Sequence, residues 1–194
     1  MKTDAPLKPL AIVALALLLE RPMHPYEMYQ LMLQRGQDAT VKVRPGTLYH
    51  TVGWLQAAGF VTATGTDREG NRPERTTYSI TPAGSGALEA TVASLIGNPE
   101  LEYSNFVVAM GEAHTVGPEA LVTLLRSRLE WLEDWKRVGT AREKYAADHG
   151  VPRRYLLAGE FALRRLGSDK AWIEELIRDI ESGALSWDDQ LHKK

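Results

Sequence analysis

Lys42 and Arg44 stand directly ahead of Pro45-Gly46-Thr47, a triplet that opens a helix, and Thr47, Tyr49 and His50 follow within its first turns. Cations beside the unpaired N–H groups of a helix start make an anion site. The hydroxyls and the imidazole beyond them can hydrogen-bond phosphate oxygens or base edges. A second basic group, Arg68, Arg72 and Arg75, is spread along a polar stretch with Gly70-Asn71-Arg72-Pro73 in its middle. Arginine on a protruding tip suits a narrow minor groove. Other chemistries find little footing. The chain has no cysteine, which excludes thiolate metal sites, cysteine nucleophiles and thiol sensing. The five histidines, at 24, 50, 114, 149 and 192, show no metal-ligand spacing. No Gly-x-Ser-x-Gly elbow and no phosphate-binding loop occurs. The expectation is a chain that is not an enzyme and holds no metal and no cofactor.

The elements that must position these side chains can be read from periodicity and punctuation. Residues 10–19 form an apolar run of 10 residues, half of the roughly 20 that a bilayer span needs. Glu20-Arg21-Pro22-Met23-His24 follows where a signal peptide would place small residues. This predicts a helix buried on most of its surface, no membrane association and a cytoplasmic setting. A second helix opens at His24-Pro25 and stops at Gly36; a third runs from Pro45 to about residue 58 with Leu48, Val52 and Leu55 on one face. Gly53 lies inside that helix at a cost of about 1 kcal/mol, for which a close helix approach is the expected reason. Residues 60–64 and 75–80 are β-branched and aromatic and read as a long hairpin. Thr81-Pro82 starts a fourth helix to about residue 96.

Composition adds bounds. The 194 residues are 44% hydrophobic and 25% charged, with a net charge of -2, ordinary for a folded chain. Residues 1–90 hold nine Lys/Arg against eight Asp/Glu, and the rest hold fourteen against seventeen. Net charge therefore decides nothing, and the placement of the cations carries the reading.

Beyond Gly97-Asn98-Pro99 the pattern is helical throughout. Residues 101–113 read as one helix. Val116-Gly117-Pro118 opens a long one with Leu121, Leu125, Leu129, Leu132, Trp135 and Val138 on a stripe, and Val151-Pro152 opens the last. There Leu156, Leu163 and Ile177 recur at multiples of seven, as do Leu166, Ile173 and Ile180. Such seams serve packing within the chain or a second copy. Leu125, Leu132, Leu163, Leu166, Ile173, Ile177 and Ile180 are the candidate dimerisation residues. Trp131, Trp135 and Trp172 suit core, interface or an apolar ligand pocket, and are the candidate effector contacts.

Three helices followed by a hairpin within about 90 residues is the pattern of a winged helix, which by itself licenses no function. The stretches HPYEMYQLM, VRPGTLYHTVGWLQAAGFV and GNRPERTTYSITPAG, in this order, resemble the PadR family of bacterial transcription regulators. The family's pattern is His-Gly-Tyr-Glu, then Pro-Gly-Thr/Ser-Leu-Tyr, then a Gly-x-Pro wing. The resemblance covers residues 10–90; Pro25 replaces the usual glycine, and His50 stands where arginine is frequent. It implies a fold that is mainly α with a small β-hairpin: an N-terminal winged helix-turn-helix (1–97) and a C-terminal antiparallel, coiled-coil-like dimerisation region (98–194). It further implies a homodimeric repressor on a near-palindromic double-stranded DNA operator, associated with the nucleoid when bound, and open to a small aromatic or apolar effector. The expected DNA contacts are Tyr26, Lys42, Arg44, Thr47, Tyr49, His50, Asn71, Arg72 and Arg75. The alternative is an interaction module that keeps the winged-helix core without binding DNA.

Overall fold

The computed structural model describes residues 7–67, 75–98 and 102–187. The chain divides into two compact units, Met1–Leu101 and Glu102–Lys194.

The first unit is built on α1 (Pro9–Glu20). Its run of aliphatic residues buries Leu10, Ala11, Ala14, Leu15, Leu17 and Leu18, and packing on nearly every side is what such a sequence demands. Arg21-Pro22 stops it, because the residue before a proline avoids helical angles. In α2 (Pro25–Gln34) proline fills the first turn and Met28 and Met32 face the core. Gly36, at φ 69°, turns the chain into a short 3-10 turn over Gln37–Ala39. The third helix, α3 (Pro45–Ala57), buries Leu48, Val52 and Leu55 at i, i+4 and i+7. No close helix approach exists at Gly53: it is exposed, and a Cβ there would meet nothing within 4 Å.

The strands β1 (Val61–Asp67) and β2 (Arg75–Ile80) pair antiparallel, from Val61 opposite Ile80 to Asp67 opposite Arg75. β1 runs three residues beyond the expected 64, because a bulge between Ala63 and Gly65 shifts the register and lets pairing resume. Met23 adds an unexpected isolated bridge to β2: its N–H donates to the Tyr78 carbonyl and the Tyr78 N–H donates back, each at 3.0 Å. In α4 (Pro82–Gly97) the Thr81 hydroxyl oxygen accepts the Gly84 N–H at 3.1 Å and donates to the Gly59 carbonyl at 2.8 Å. One side chain thus caps α4 and ties it to the end of α3.

In the second unit, α5 is shorter than expected. It spans Asn105–Gly111, with the Ser104 Oγ accepting the Phe106 N–H at 3.3 Å, and a separate 3-10 turn covers Ala113–Thr115. The long helices α6 (Pro118–Asp148) and α7 (Leu157–Ser182) run antiparallel. Arg126 pairs with Glu181, Lys170 with Glu133, and Gly139 lies against Leu163. A 3-10 turn, Arg153–Tyr155, occupies the segment expected to begin the last helix.

Within one chain, this helix pair packs the residues of the seam against each other. Leu125, Leu132, Ile173 and Ile177 are buried in the unit's own core, Leu166 and Ile180 pack against it, and Leu163 sits beside Gly139. One chain's own antiparallel pair satisfies the same heptad spacing. Trp135 and Val138, expected on the α6 stripe, are exposed instead.

Candidate nucleic-acid interface

The candidate surface is assembled from the starts of α2 and α3. Arg44 is the N-cap of α3 and its side chain makes no capping bond. Pro45 has no N–H, so the amides of Gly46 and Thr47 are the first unpaired donors at the positive end of the helix. Arg44, Pro45, Gly46, Thr47 and Lys42 are all exposed. Three apolar anchors, Leu48, Val52 and Leu55, turn the opposite face of α3 into the core, leaving Thr47, Tyr49 and His50 outward. Tyr49 is 46% exposed and Tyr26, on the first turn of α2, is 52% exposed. Large aromatic side chains this open on a small unit are available to a partner. Trp54 is spoken for in part: its ring meets Phe60 edge-on, with centroids 6.1 Å apart.

The electrostatics separates two kinds of cation. Arg35 forms a two-pronged pair with Glu20, and Arg21 pairs with Glu27. The guanidinium beside each holds these carboxyls below the usual carboxylate range. Lys42 and Arg44 form no ion pair among the described residues. The paired arginines fasten helix ends, and the unpaired cations flank the open start of α3.

His24, read in the sequence only as the opening of the second helix, joins the two helix starts. Its Nδ1 accepts the Tyr26 N–H at 3.1 Å, and the Glu27 carboxylate accepts the His24 backbone N–H. This is the reciprocal arrangement of a capping box. Its ring meets that of Tyr49 edge-on at 5.8 Å and 74°. The sequence signal was present: a ring nitrogen at an N-cap, proline next, glutamate three residues on.

Of the other expected contacts, Asn71 and Arg72 lie outside the described residues, and Arg75 is the first residue of β2. In the second unit, Trp131 and Trp135 lie 5.8 Å apart, and Trp172 meets Phe106 edge-on at 6.4 Å. The Arg128 guanidinium lies 3.6 Å over Phe106 and 5.9 Å from Trp131. Phe106 and Arg128, which sequence reading missed, thereby connect the tryptophans. An open cleft of about 560 Å³ at the α6–α7 turn is lined instead by Glu143, Arg153, Leu156, Glu160, Leu163 and Arg164. No described helix is long and apolar enough to cross a membrane.

Compared with curated proteins, the chain matches none. Among solved structures it is similar to Bacillus subtilis PadR in complex with operator DNA. The TM-score is 0.75 at 17% identity, covering 89% of this chain and 99% of that one. Bacillus subtilis PadR in complex with p-coumaric acid gives a TM-score of 0.72 at 15% identity, covering 90% and 99%. The PadR-like transcriptional regulator BC1756 from Bacillus cereus gives 0.69 at 12% identity, covering 90% and 99%. These likenesses are of fold: a winged helix carrying a helical C-terminal region. The sequence itself matches the model of the transcriptional regulator PadR-like family over residues 14–90, the winged-helix segment.

Proposed function

We propose that the protein is a sequence-specific regulator of transcription that binds double-stranded DNA and acts as a repressor. The observation that carries the reading is the start of α3, exposed, uncapped and flanked by Lys42 and Arg44 with no ion partner among the described residues. In this reading the first turns of α3 enter the major groove, its amides and the two cations hold phosphates, and Thr47, Tyr49 and His50 reach base edges or backbone. Tyr26 contacts the backbone from α2. Asn71, Arg72 and Arg75 belong to the wing, on the adjacent minor groove.

The active species is a homodimer on a near-palindromic operator. The exposed apolar side chains of the helical unit, among them Val107, Val108, Leu124 and Phe161, support this, since such open apolar surface favours a partner. Two copies of α3 would then lie about 34 Å apart, one turn of DNA. A small aromatic or apolar effector that favours another separation releases the DNA, with Trp131, Trp135 and Trp172 as its proposed contacts. The setting is the cytoplasm.

Footprinting on DNA upstream of the protein's own coding sequence tests the core of the reading. Two protected half-sites one helical turn apart are expected, and they disappear when Lys42 and Arg44 are both replaced by alanine. Retained protection in that variant refutes the role given to the start of α3. Tryptophan quenching by a panel of aromatic acids and hydrophobic cations tests the effector. A saturable change that lowers operator affinity supports it, and no change with any of them refutes it.

A further inference from the structure

We propose that His24 is a positioning residue for the DNA surface, one imidazole meeting the backbone of Tyr26 and the ring of Tyr49; the proposal rests on the DNA-binding reading above. Tyr26 and Tyr49 are the two large aromatic side chains at the helix starts, and they belong to different helices. Each could rotate with its own helix. His24 removes that freedom through two separate contacts. Its Nδ1 takes the Tyr26 N–H, which fixes the first turn of α2, and its ring meets the Tyr49 ring edge-on. The backbone that carries the ring is itself held, because its N–H is bound by Glu27, whose carboxylate is anchored by Arg21. The ring is half-buried, while both tyrosines are open to solvent. His24 therefore acts through them without facing the partner as they do.

The acceptor role dictates the chemical form: Nδ1 is unprotonated, and the ring hydrogen of the neutral form sits on Nε2. Two substitutions divide the two jobs. His24→Asn keeps a capping oxygen and loses the ring. His24→Phe keeps a ring and loses the acceptor.

The test is a double-mutant cycle read as affinity for the footprinted duplex, with wild type, His24→Asn, Tyr49→Ala and the double variant. His24→Asn is expected to weaken binding about threefold to tenfold in the wild-type background and less than about twofold in the Tyr49→Ala background. Equal losses in both backgrounds, or no loss in the first, overturn the proposal. Amide and aromatic NMR shifts of the free protein give a second readout. The Tyr26 amide is expected to move in His24→Phe and hold in His24→Asn, and the Tyr49 ring signals to do the reverse. Shifts spread over the whole first unit in both variants indicate a general structural role and overturn it. A wild-type chain that binds no duplex, while Tyr26 and Tyr49 respond as expected, sinks the DNA reading and leaves the contacts standing.

Discussion

At the scale of single residues, two glycines of the first unit behave in opposite ways. A Cβ on Gly84 would lie 2.1 Å from the Phe60 carbonyl oxygen, so the first turn of α4 fits against the end of α3 only without a side chain. Gly84→Ala is expected to destabilise the protein by about 1–3 kcal/mol, the usual cost of overpacking, read as a lower urea midpoint. Gly53 is the reverse. Its Cβ would meet nothing, so Gly53→Ala is expected to raise stability by up to about 1 kcal/mol, through helix propensity alone. An unchanged or lower midpoint would show a constraint at Gly53 that the folded chain does not display. Sequence reading placed a close approach at Gly53 because a glycine inside a helix calls for a reason. It passed over Gly84, which sits in an ordinary turn context after Thr81-Pro82. Steric contact between segments distant in sequence leaves no local mark, whereas the exposure of Thr47, Tyr49 and His50 followed directly from Leu48, Val52 and Leu55.

At the scale of elements, short exposed ion pairs fasten the helix ends of the first unit. Glu20 joins the end of α1 to Arg35 at the end of α2, and hydrogen bonding from Arg35 lowers its pKa. A carboxyl lowered in the folded state contributes stability above its unfolded pKa, about 4.3, and that contribution is lost as pH falls through the folded value. Glu20→Gln should therefore cost about 0.5 kcal/mol at pH 7, discounted for exposure, and nothing near pH 2. A difference that persists in acid would mean the pair is not its source. Element boundaries were legible wherever a cap or stop marks them: Pro25, Gly36, Pro45, Gly59 and Thr81. They failed at α5, where the Ser104 cap was passed over, and along α6. The contact ridge of α6 follows Leu125, Leu132, Gly139 and Ala146, seven residues apart. Its second half is marked by smallness, with Gly139 admitting Leu163, so a search for bulky apolar residues drifted to Trp135 and Val138.

At the scale of the whole molecule, charge and assembly decide how the surface works. The apolar side chains left open on the helical unit lead us to expect a particle of twice the 21.6 kDa chain mass by light scattering. A monomer at micromolar concentration would defeat the homodimer. A near-neutral chain with a net charge of -2 cannot attract DNA from a distance by its total field. On the proposed reading its affinity comes from cations placed against phosphates, each releasing counterions on contact. With about six phosphates neutralised by the dimer, log affinity should fall against log salt with a slope near −5. Lys42→Ala with Arg44→Ala removes two contacts from each copy, about four in the dimer, and should leave a slope nearer −2. A gentle slope in the wild type, or a steep one in the variant, would move the anchoring charge away from the start of α3. Because each copy contributes equally, the same variant should flatten the slope by only half as much when paired with one wild-type chain. The three salt series together therefore report on the assembly and on the interface.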